Sequence, residues 1–124
     1  MGLFSKIFKS ISGDSPKPFN KDNLINNLED VLNQFSDYEI RTEISASEFN
    51  APAGAKDYSY GLYYNGYPKA LIMILDDRNH YRKKEVILAR EAAEHLGIPY
   101  MNFMPHLPNK KNYIYERINK NLMR

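Results

Sequence analysis

A chain of 124 residues that is 43% apolar is sized for one domain with one core and is too apolar for a fully disordered chain. It has no cysteine, which excludes disulfides, zinc-thiolate centres and thiol catalysis, and no apolar run approaches the ~20 residues of a membrane span. Residues 1–20 carry a net charge of +2, residues 21–77 carry −6 and residues 78–124 carry +6, so the second half is one that phosphates would approach.

Residues 1–11, MGLFSKIFKSI, place Leu3, Phe4, Ile7, Phe8 and Ile11 at helical spacing, with Ser5, Lys6, Lys9 and Ser10 on the other side. This amphipathic pattern suits an anchor: weak peripheral contact with an anionic membrane, docking on a protein partner, or folding back on the domain. Lys6 stands where N-myristoylation needs Ser or Thr. Gly13, Pro16 and Pro18 then mark a linker, so the chain divides into a segment over 1–20 and one α/β domain over 21–124.

The spacing of Leu24, Leu28, Val31, Leu32 and Phe35 predicts a helix over 21–36, capped by Asn20 or Asp22. Alternation in YEIRTEIS predicts a half-buried strand over 38–45. Residues 57–75 read as a hairpin around Asn65-Gly66, because a type I′ turn needs positive φ at both positions. Its second strand is apolar on both faces and should be central. A helix from 79–82 to 96, ended by Gly97, a strand over 98–104 and a helix over 111–123 complete the order. Three strands in an antiparallel meander, then a helical crossover to a fourth, parallel strand, give a mixed α+β sheet with helices on its faces.

The chemistry concentrates where the apolar run Ala70–Leu75 ends in Asp76, Asp77 and His80. Asp77 or Asn79 can cap the following helix, and Asp76 can pair with Arg78, Arg82 or a lysine from elsewhere. Arg82, Lys83 and Lys84 open that helix against its dipole, a local cost that points to a partner: Asp76, Asp77 or an external phosphate. Tyrosines gather at the hairpin, and Tyr60 and Tyr63, with Tyr81 near the basic run, could stack on bases or anchor a protein interface. His80, His95 and His106 are too scattered to suggest zinc.

The order αβββαβ is that of the restriction-endonuclease-like, or PD-(D/E)xK, nuclease superfamily. Within it, Leu75-Asp76-Asp77, His80 and Gly97-Ile98-Pro99 over residues 57–104 resemble a bacterial domain family of unknown function. The resemblance implies an acid on the second strand, a glutamate on the third and a lysine two residues later, holding Mg²⁺ and activating water. Those positions fall here at Ser59, Ile74 and Asp76, so the chain departs from the pattern at each. The expectation is therefore a cytoplasmic, non-catalytic, degenerate nuclease-like module without a cofactor. It would engage DNA, RNA or a protein partner through His80, Tyr81, Arg82, Lys83, Lys84, Tyr60 and Tyr63. The alternatives are an active Mg²⁺-dependent nuclease with relocated ligands Asp57, Asp76 and Asp77 assisted by Lys83, and an adaptor anchored by residues 3–11 to a membrane or complex.

Overall fold

The computed structural model describes residues 19–123. The anchor candidates Leu3, Phe4, Ile7, Phe8 and Ile11 lie outside the described residues.

Helix α1 spans Lys21–Leu32, and the Asn20 side chain accepts a hydrogen bond from the Asn23 amide at its start. It stops four residues short of the expected end. There the amides of Gln34 and Phe35 bond three residues back, to Val31 and Leu32, tightening the chain into a turn. Phe35 still packs inward, so the apolar stripe continues after the helix has ended.

The strands are β1 (Glu39–Ile44), β2 (Tyr58–Tyr64), β3 (Tyr67–Ile74) and β4 (Tyr100–Phe103), and the later helices are α2 (Lys84–His95) and α3 (Lys111–Leu122). The sheet runs β1-β2-β3-β4. The first two pairings are antiparallel, and β3 with β4 is parallel, with Ile74 opposite Phe103. Asn65 and Gly66 have φ of 51° and 81°, the left-handed conformations of the expected type I′ turn. Pro68 pairs with Tyr63 beside a register shift, where a missing ladder donor is tolerated.

β3 is the hub. Ala70, Ile72 and Ile74 join Met101 and Phe103 in a core under α1 and α3. Leu71, Met73 and Leu75 face the other way, into a core under α2 and the short 3-10 turn Ala46–Phe49. An apolar run in a strand with neighbours on both sides is thus covered on both faces. Gly61 in β2 is needed for packing: a Cβ there would lie 2.7 Å from Ile44 Cδ1 and 2.8 Å from a Tyr63 ring carbon.

Candidate functional site

The two parallel strands, β3 and β4, point their carboxyl ends to the same edge of the sheet. The chain leaves β3 through residues 75–83 to α2 on one face, and leaves β4 through residues 104–110 to α3 on the other. Connections that depart to opposite faces open a crevice between two strand ends, the usual place for ligands in sheets of this kind. The sequence-predicted acids, histidine and basic run all lie on the first of these connections.

The acids are occupied from within. Asp76 takes an ion pair from Lys21 at the start of α1, at 2.8 Å, and the Lys21 ammonium holds the Asp76 carboxyl below the usual carboxylate range. Asp77 turns to its own loop and accepts from the Asn79 amide at 2.8 Å. Asp57, on the approach to β2, accepts from the Ala46 amide at 3.3 Å. The relocated-ligand alternative asks two or three of these carboxylates to share a metal, and each of them is bonded by a different segment. Among the described residues, no three His, Asp or Glu side chains are grouped to hold a metal ion.

His80 is the keystone of the loop and is only 5% exposed. Its Nδ1 accepts from the Asp76 amide at 2.9 Å, which puts the neutral ring's proton on Nε2. Nε2 then donates to the Glu85 carboxylate at 2.6 Å, in the first turn of α2. The ring therefore ties the end of β3 to the start of α2. A side chain buried in this way is not a surface ligand-binding group. The same tie explains a second departure from expectation: neither Asp77 nor Asn79 caps α2. A 3-10 turn, His80–Arg82, intervenes, and α2 starts at Lys84 with no side-chain cap on its first turn.

The cations of the loop are left over. Arg78, Arg82, Lys83 and Lys84 are all exposed. Arg82 lies over its neighbour Tyr81 and donates to its hydroxyl. None of the four has a carboxylate partner among the described residues, because Lys21 holds Asp76 and His80 holds Glu85. On the second connection Lys110 is also exposed, and Lys111 pairs with Asp30 at 2.8 Å.

Two of the expected aromatic contacts are structural. Tyr60 is 7% exposed, and its hydroxyl donates to Glu29 of α1 at 2.7 Å. Tyr63 is 4% exposed beneath the Arg41 guanidinium, which lies 4.0 Å from its ring centre. β2 is flanked by β1 and β3 and covered on both faces, so its tyrosines become core; the exposed ones, Tyr64 and Tyr67, are at the turn. Tyr58 is fully buried, and its hydroxyl donates to the Ala89 carbonyl of α2 at 2.6 Å.

Ser59 and Ile74, the positions where the resemblance would put metal-binding acids, meet directly. The Ser59 hydroxyl accepts from the Ile74 amide at 2.9 Å. The sequence suggests a second surface over residues 106–117 without any chemistry for it; at this edge the structure adds a small apolar cavity around the exposed Leu107 and Tyr113. The two prolines and basic residues of PHLPNKK were the available signal.

At the opposite end of the sheet, a groove of about 760 Å³ is lined by Tyr38, Tyr64, Tyr67, Leu96, Pro99 and Leu122, among others, with Lys69 its one charged side chain among the described residues. No protein-family model, curated protein or solved structure matches this chain.

Proposed function

We propose that this chain is a non-catalytic module that binds the backbone of a nucleic acid at the carboxyl edge of β3 and β4. The observation that carries the reading is the separation of charge in residues 76–85. The acids there have partners of their own, Asp76 in the Lys21 ammonium, Asp77 in the loop backbone and Glu85 in the His80 ring, while Arg78, Arg82, Lys83 and Lys84 face solvent with no ion pair among the described residues. Arg82, Lys83 and Lys84 also sit where the α2 dipole disfavours positive charge. An external polyanion such as a phosphate backbone would offset that placement.

The reading extends to ancestry, as a nuclease-like fold that no longer carries its metal ligands. The αβββαβ order supports it, and so does the pairing of the two neighbouring strands that carry Ser59 and Ile74, where the Ser59 hydroxyl accepts from the Ile74 amide. With a hydroxyl and an alkyl group in those places, binding is the function that survives.

The test is direct binding of labelled oligonucleotides to the wild-type chain and to a Lys83→Glu, Lys84→Glu variant. The variant should bind about tenfold more weakly, with a salt slope shallower by about 2. Equal affinity and equal slope would remove these lysines from the interface.

A further inference from the structure

We propose that the module takes its nucleic acid as a single strand, with a base seated in the cavity formed by Leu107, Pro108 and Tyr113. This inference rests on the nucleic-acid reading above and specifies the form of the ligand.

The cavity is about 370 Å³ and is lined by Leu107, Pro108, Asn109, Lys110, Asn112 and Tyr113. Its size falls within the range of small-molecule sites. It combines an aliphatic floor, an aromatic ring and a cation in seven consecutive residues. Leu107 is 40% exposed and Tyr113 46% exposed, so both present apolar surface that the fold itself does not use.

The walls are held in place. Asn109 adopts φ of 48° and is only 4% exposed. Its side-chain amide donates to the carbonyls of Met104 and Leu107, at 2.8 Å and 2.9 Å, and its own carbonyl accepts from Asn27 of α1 at 3.1 Å. A pre-formed apolar slot beside a lysine suits a planar ring attached to a phosphate. An intact duplex keeps its bases stacked and paired, so it cannot fill such a slot; a single strand has free ring faces.

Placement adds the charge complement. The loop 104–110 leaves the same sheet edge as the loop 75–83, with α2 and α3 on opposite faces. Lys83 and Lys84 at the start of α2 are therefore separated from Lys110 by about two layer spacings of ~10 Å each. At ~3.4 Å per nucleotide, a stacked strand crosses that distance in about six nucleotides. Among the described residues, the larger tyrosine groove at the hairpin end has no such row of cations, since Lys69 is its one charged residue.

The experiment compares ~12-nucleotide single strands, in deoxyribose and ribose forms, with the DNA duplex of the same sequence, within the usual range of single-strand site sizes. Binding is read by fluorescence anisotropy for wild type, Tyr113→Ala, Tyr113→Phe and the Lys83→Glu, Lys84→Glu variant. Wild type should prefer a single strand by about tenfold. Tyr113→Ala should abolish that preference with the salt slope unchanged, and Tyr113→Phe should retain it. The sugar form bound more tightly identifies the source of the strand. Equal binding of duplex, or an unchanged preference in Tyr113→Ala while the lysine variant still loses affinity, overturns the single-strand inference and leaves the backbone reading standing. No binding of any oligonucleotide by wild type overturns both.

Discussion

The two ends of the sheet both expose aromatic side chains, yet among the described residues one end exposes a cluster of unpaired cations and the other a single lysine. At the hairpin end, Tyr64 and Tyr67 border a groove whose one cation among the described residues is Lys69. At the carboxyl end of β3 and β4, Tyr81 and Tyr113 accompany Arg78, Arg82, Lys83, Lys84 and Lys110. The difference teaches that tyrosine abundance alone does not locate a binding surface in this chain. Three of the six tyrosines in residues 58–81 are core, two of the rest flank the turn, and the sixth lies in the loop with the unpaired cations.

The comparison can be broken most severely at His80. His80→Ala removes the acceptor for the part-buried Asp76 amide and the donor to Glu85, and should lower unfolding free energy by about 1–3 kcal/mol in a denaturant titration. Amide exchange should rise over residues 76–84 and stay unchanged in the hairpin. A uniform rise across both ends would show that the loop is not a separate unit. Next in size is the lysine pair. About tenfold in oligonucleotide affinity corresponds to ~1.4 kcal/mol, and that loss should leave the melting temperature of the chain nearly unchanged.

Alkaline titration sharpens the contrast between core and surface tyrosines. Burial pushes the Tyr58 hydroxyl up to about 12, and burial likewise raises Tyr60, Tyr63 and Tyr100. A phenol that is harder to ionise in the folded chain holds its proton more tightly there than in the unfolded chain. Its contribution is intact below pH ~10, the unfolded value, and is lost as pH rises toward the folded value. Stability should therefore stay level to about pH 10 and fall above it, with phenolate absorbance from these four appearing together with unfolding. Ionisation of all ten tyrosines before unfolding would contradict the packing. The smallest effect belongs to Tyr64→Ala with Tyr67→Ala, which should change oligonucleotide affinity by less than about twofold and stability by roughly 0.5 kcal/mol or less.

The local signals in the sequence were read well where they are short-range. Asn65-Gly66 placed the turn, the two-sided apolar run placed β3 at the centre, and Gly97, at φ of 73°, marked the end of α2. Long-range partners were not legible. The Lys21–Asp76 pair joins residues 55 apart, and nothing in the stretch around Asp76 names Lys21 over Arg78 or Arg82. Strand parity also misleads in β2. Tyr58 and Tyr60 are two apart yet pack in opposite cores, beside a kink at Glu43 of β1, whose φ is 51°. The start of α2 was misplaced because His80, rather than Asp77 or Asn79, organises the approach, and a histidine bonded through both nitrogens has no sequence signature.

Chemical-shift mapping of a titration with a single-stranded oligonucleotide tests the central claim most directly. Perturbations should concentrate in residues 76–84 and 106–113, with residues 64–69 silent. Perturbations centred on the hairpin end, or none at either end at saturating oligonucleotide, would contradict the assignment of the interface to the carboxyl edge of β3 and β4.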